Sequence, residues 1–107
     1  MRVVSYVRVS REEQVEGWSL DAQRDQCADL VARRGWDLVQ VFEEPGRSAK
    51  TDLRPAFQRM MSQAEARRFD VIVVHKLDRF SRSLADVVRN VARLKDAGVG
   101  LVSVSEP

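Results

Sequence analysis

Hydrophobic positions along this chain follow two rhythms that alternate from end to end. Short apolar runs read as strands: 2–8, with Val3 and Val4 of the buried kind; Trp36 to Phe42; Val71-Ile72-Val73-Val74, continuous as in a strand buried on both faces; and Val99 to Val104. Between them lie stripes at helical spacing: Leu20, Cys27, Leu30 and Val31; then Phe57, Met60, Met61 and Ala64; then Leu84, Val87, Val88, Val91 and Leu94. Punctuation agrees with the rhythm. Ser19 stands where an N-cap belongs, with Asp21 in the first turn, and Gly35 stops that helix near Arg34. Pro55 suits the first turn of the second helix, Ser83 with Asp86 resembles a capping box, and Gly98 ends the third. The polar segments 9–18, 43–53 and 76–82 read as loops, the second unusually long for a compact unit. The order β-α-β-α-β-α-β predicts an α/β fold of three layers, a mostly parallel sheet with helices on both faces.

Composition narrows the class. A chain of 107 residues holds one domain, and 44% hydrophobic with 32% charged residues is ordinary for a globular protein. No apolar run approaches the roughly 20 residues of a membrane span, and Arg2 and Arg8 interrupt the early apolar stretch that a signal peptide would need. The single cysteine, Cys27, excludes an internal disulfide framework and fits a reducing cytoplasm; with one histidine it does not make a zinc set. Net charge is only +2, which alone does not mark a nucleic-acid binder. Its distribution says more. Arg8, Arg11, Arg47, Lys50, Arg54, Lys76, Arg79 and Arg82 lie in or beside segments that follow strands. Asp21, Asp25, Asp29, Glu65, Asp86 and Asp96 fall mostly on helices.

Side chains alternate along a strand, so Arg8 and Ser10 project to the same side where strand one ends. In open α/β sheets that end is where ligands bind. The ends of strands one, two and three would bring together Arg8 and Ser10, then Glu44, Arg47 and Arg54, then Asp78, Arg79 and Arg82. The only histidine, His75, lies at the end of strand three, so a Ser-His-Asp triad has no base near Ser10. Guanidiniums around a serine suit a phosphoryl group, because arginine forks match phosphate oxygens and stabilise charge building on phosphorus. No phosphate-binding glycine motif follows strand one, and a phosphoacceptor receiver site would need carboxylates where Arg8 and Ser10 stand.

Taken in order, Tyr6-Val7-Arg8-Val9-Ser10, Ser19-Leu20-Asp21-Ala22-Gln23, Glu44 with Gly46 and Ser48, Arg54-Pro55, and Lys76-Leu77-Asp78-Arg79-Phe80-Ser81-Arg82 resemble the catalytic domain of the serine recombinases, the resolvase/invertase family. The long Glu44-to-Arg54 loop is similar to the large integrase and transposase branch. The resemblance implies that Ser10 attacks a DNA phosphodiester to give a 5′-phosphoserine link and a free 3′-hydroxyl. It implies that Arg8, Arg79 and Arg82 hold the phosphate, that Asp78 orients the arginines, and that Gln23, Glu44 and Arg54 support the site. Arg11, Arg47, Lys50 and Lys76 are the expected further DNA contacts. It also implies double-stranded DNA as partner, self-assembly from dimer to tetramer in the full-length protein, no metal or energy cofactor, and a cytoplasmic, DNA-associated place of action. Two positions depart from the family pattern: Glu44, where aspartate is commoner, and Ala49, where glycine is common. Family members continue into a long dimerisation helix and DNA-binding domains. A chain that stops at Glu106-Pro107, directly after a strand, is therefore expected to be a C-terminally truncated catalytic domain spanning 1–107.

Plainer readings stand beside these. Taken alone, Ser10 is a turn residue, Arg79 and Arg82 are surface ion pairs with Asp78, Arg54 begins a helix, and Gln23 is a solvated helix residue. His75 reads as a strand-end residue and Cys27, Met60 and Met61 as core; Arg33, Arg34, Arg67 and Arg68 favour helix C-termini. At the level of function the alternatives are a non-catalytic DNA-binding or interaction domain on the same fold, and a phosphohydrolase of small esters. A binding module has no need of Ser10, and a small-ester hydrolase has no need of the long open loop.

Overall fold

The computed structural model describes residues 1–8, 20–44, 54–81 and 83–106. Four strands form one parallel sheet: β1 (Arg2–Arg8), β2 (Asp37–Glu44), β3 (Val71–Val74) and β4 (Gly100–Ser103), in the order β2-β1-β3-β4. Helix α1 (Leu20–Arg33) joins β1 to β2, and α2 (Pro55–Glu65) precedes β3. A single turn, α3 (Leu77–Phe80), leaves β3, and α4 (Leu84–Ala97) leads to β4. The expected α/β architecture and its strand order along the chain are borne out. Two segments differ: Glu43 and Glu44, expected at the start of a loop, extend β2, and part of the segment expected as a basic loop winds into the turn α3.

The central strands β1 and β3 are buried on both faces, which is why they read as continuous apolar runs. Alternation then divides the core. Val4, Tyr6, Phe42, Ile72 and Val74 face Phe57, Met60, Met61 and Ala64 of α2 and Leu94 of α4. Val3, Val71 and Val73 face Cys27, Leu30 and Val31 of α1. Three layers result. An aromatic chain crosses the first cluster, with Phe57 meeting Tyr6 edge-on at 5.5 Å and Phe80 edge-on at 5.3 Å, so β1, α2 and α3 share one packed contact.

Helix ends follow local chemistry. Gly35 adopts φ +69° and closes α1, with Gly35 N–H donating to the Ala32 carbonyl and Trp36 N–H to that of Val31. Gly98 at φ +76° closes α4 in the same way. The Ser83 hydroxyl accepts from Asp86 N–H at 3.1 Å, so the predicted cap forms, while the Asp86 carboxylate turns to Arg54 and Arg89 instead of reaching back. On α4 only part of the apolar stripe is covered: Leu94 is buried, whereas Leu84 and Val88 are 79% and 61% exposed.

Candidate active site at the strand ends

The chain passes from β1 to β2 on one side and then, from β2 through α2, to β3 on the other side of β1. The carboxyl ends of β1 and β3 thus flank a topological switch point. Arg8 ends β1 there, and His75 to Phe80 leave β3 beside it. Arg8 lies on the Tyr6 face of β1, as strand alternation requires. Its guanidinium donates from Nη2 to the Asp78 carbonyl at 2.6 Å and from Nε to the Arg79 carbonyl at 3.4 Å. Asp78 Oδ1 in turn pairs with Arg79 Nη1 at 3.1 Å. Arg79 is 8% exposed, so its cation is held in a fixed orientation at the end of the sheet, whereas Asp78 faces solvent.

Gln23 explains why α1 matters to this end of the molecule. Fully buried, it accepts from Arg8 N–H at 3.1 Å and donates to the Arg8 carbonyl at 2.9 Å. Those are the two main-chain groups through which a neighbouring strand would pair. A side-chain amide thus fixes the last residue of β1 on α1.

Glu43 and Glu44 show the two-residue period of β2. Glu43 is exposed and pairs with Arg24 of α1. Glu44 points to the other face, 5% exposed, and accepts from the Tyr6 hydroxyl at 2.9 Å and from Ala56 and Phe57 N–H at 3.1 Å each. These N–H groups belong to the first turn of α2, whose cap residue Arg54 supplies no side-chain acceptor and sits at φ 31°, ψ 66°. The carboxylate of a distant strand therefore caps the helix, favoured also by the helix dipole. Burial and the neighbouring carboxylate raise the Tyr6 phenol far above its ordinary range, so it is a donor at any physiological pH.

Arg54 completes the ring. Nη1 donates to the Phe80 carbonyl at 2.6 Å, Nη2 reaches Asp86 Oδ2 at 3.4 Å, and the guanidinium lies 3.7 Å from the Phe57 ring centre. Arg8 and Arg54 together hold the carbonyls of three successive residues, Asp78, Arg79 and Phe80. The structure thus brings Arg8, Gln23, Glu44, Arg54, Asp78 and Arg79 into one connected network. Lys76 precedes α3 in extended conformation, half-buried. Ser10, Arg11, Arg47, Ala49, Lys50 and Arg82 lie outside the described residues. His75 is buried just after β3, and burial with the Lys76 and Arg79 cations lowers its pKa. Among the described residues no cluster of three or more His, Cys, Asp or Glu side chains could hold a metal ion, and no helix is long and apolar enough to cross a membrane.

The chain carrying this site matches a known family. The model of the family described as the resolvase N-terminal domain matches residues 3–107. The chain belongs to the resolvase family. Over 106 residues it is 30% identical to the serine recombinase gin of Escherichia phage Mu, covering 97% of this chain but 47% of that protein. The domain thus spans about half the length of that relative. Among solved structures, the N-terminal catalytic domain of TP901-1 integrase is 32% identical with a TM-score of 0.86, over 99% of this chain and 78% of that one. A resolvase-family site-specific recombinase from Streptococcus pneumoniae is 33% identical, also at TM-score 0.86, over 99% and 73% of the two chains.

Two participants in this network have no role assigned from the sequence. Tyr6 falls within the Tyr6-Val7-Arg8-Val9-Ser10 motif, and its two-residue spacing from Arg8 places both on one face, but its bond to Glu44 is not legible there. Glu106, two residues beyond the last predicted strand, carries no local signal; its carboxylate accepts from Leu77 N–H at 2.7 Å.

Proposed function

We propose that this domain cleaves and rejoins DNA strands as the catalytic part of a site-specific recombinase. The supporting observation is the fixed pair of cations at the switch point, Arg8 and Arg79, tied to each other through the main chain of α3 and to α1 through Gln23. Ser10 follows Arg8 by two residues in the chain, and in this reading its hydroxyl is the nucleophile toward a phosphodiester held by these guanidiniums. Its Oγ attacks phosphorus, the bond from phosphorus to the 3′-oxygen breaks, and that oxygen leaves as a hydroxyl after taking a proton. The product is a 5′-phosphoserine link that conserves the ester for religation. Arg8, Arg79 and Arg82 offset the charge gathered on the non-bridging oxygens. Asp78 keeps Arg79 oriented, and Glu44 and Arg54 act one step back by holding the turn. Arg11, Arg47, Lys50 and Lys76 contact the flanking backbone, where each cation adds to salt-dependent affinity. Double-stranded DNA and further copies of the protein are the partners.

The test uses the intact protein and a duplex spanning an end of the genetic element that encodes it, nicked at the centre to trap cleaved strands. A covalent protein–DNA band on a denaturing gel, formed in EDTA and missing from Ser10→Ala, is the expected result. DNA binding without adduct, with Ser10→Ala indistinguishable from the parent, would make this a binding domain only.

A further inference from the structure

The turn α3, which carries Asp78 and Arg79, cannot hold itself. It is four residues long, barely one turn, with Arg79 N–H donating to the Lys76 carbonyl and Ser81 N–H to that of Leu77. Starting a helical turn is unfavourable, and one this short lacks the further bonds that repay it. Lys76, the residue before it, offers no side-chain cap. The direction of α3 is therefore set by groups outside it. Two are the arginines described above, which take its carbonyls. The third lies on the opposite side, beyond β4.

There Val104 N–H donates to the Val74 carbonyl at 2.9 Å and Ser105 N–H to that of His75 at 3.1 Å, so pairing continues past the end of both strands. Glu106 finishes this run. Its Oε1 accepts from Leu77 N–H at 2.7 Å and from the Ser103 hydroxyl at 3.0 Å, while its own N–H donates to that hydroxyl at 3.3 Å. The Ser103 hydroxyl also lies 3.4 Å from the His75 carbonyl. A carboxylate braced by a buried serine thus grips the first N–H of α3.

We infer that Glu106 is a positioning residue for the Arg79 cation, acting through the first N–H of α3. The inference rests on the recombinase reading for its catalytic consequence. Glu106 is exposed, so packing does not account for its place; an ordinary exposed residue would be replaceable at little loss. Arg79, by contrast, is buried and cannot swing to compensate for a displaced main chain. An angular error at Leu77 therefore passes directly to the guanidinium.

The test compares Glu106→Ala and Glu106→Gln with the parent in the intact protein. Amide hydrogen exchange is read for residues 75–81, and the single-turnover rate of Ser10–DNA adduct formation is read at saturating DNA, with affinity and thermal midpoint measured alongside. Glu106→Ala should exchange faster in 75–81 but not in α1. It should form adduct about tenfold more slowly at unchanged DNA affinity and midpoint, a loss below the roughly 10²-fold that a 1 Å misplacement can cost. Glu106→Gln, which keeps an acceptor oxygen, should recover most of the rate. Overturning results are an alanine rate within twofold of the parent, a loss explained by affinity or unfolding, or a glutamine variant as slow as alanine. A parent that binds DNA yet forms no adduct would sink the recombinase reading separately; the exchange arm then decides the clamp, and unchanged exchange in 75–81 overturns it.

Discussion

Replacing Glu44 with alanine removes one carboxylate and strips three donors of their acceptor: the Tyr6 hydroxyl and the N–H groups of Ala56 and Phe57. Losing a helix cap costs about 1 kcal/mol. A buried hydroxyl left without an acceptor costs roughly 1–3 kcal/mol more. Tyr6 is fully buried, so water does not easily take the place of the lost oxygen. The sum is about 3 kcal/mol, a large part of the roughly 5–15 kcal/mol that holds a domain folded. For a domain of this size the midpoint should fall by roughly 12–24 °C. Tyr6→Phe removes a donor and leaves Glu44 capping α2, so it should cost only about 1 kcal/mol. In the double variant no hydroxyl is orphaned, and its loss should be smaller than the sum of the single losses by about 1–2 kcal/mol. Urea unfolding of the four proteins, followed by far-ultraviolet circular dichroism, measures all three differences. A loss under about 0.5 kcal/mol for Glu44→Ala, or strict additivity, would refute the remote cap.

Gln23→Glu replaces a donor to the Arg8 carbonyl with a charged oxygen facing another oxygen. It should destabilise more than Gln23→Ala at pH 8 and regain stability on acidification, as the protonated acid again donates; equal, pH-independent losses would contradict the clamp. His75 is held below its ordinary value of 6.5, so the folded state resists a proton that the unfolded chain accepts. Stability should therefore be full above pH 6.5 and fall as the pH drops below it, by at most about 1.4 kcal/mol per pH unit, and His75→Gln should remove that part of the slope in chemical unfolding curves.

The architecture was legible in the sequence because burial on both faces leaves unbroken apolar strands and burial on one face leaves a helical stripe. Val71–Val74 and the Phe57, Met60, Met61, Ala64 stripe needed no tertiary information to be placed. Neither did Gly35 and Gly98, since a left-handed residue after a helix favours glycine. Arg8, Gln23, Arg54 and the Asp78-Arg79 pair could be singled out by type, order and resemblance to the resolvase family.

What each of those side chains touches was decided only by the tertiary structure. Gln23 could be named, but that its amide closes on both main-chain groups of Arg8 depends on how α1 lies against β1. Glu44 could be called a supporting acid, yet its bonds run to a helix that begins eleven residues later, a pairing that no local rule supplies. Lys76 to Arg82 looked like a loop because the turn α3 has no cap and no stripe of its own. It exists because Arg8, Arg54 and Glu106 hold it from three other parts of the chain. Local propensity writes itself into neighbouring residues, and so strands, helices and their ends can be read in order. A buried polar group takes whichever partner the fold brings within about 3 Å, and that partner carries no mark in sequence distance.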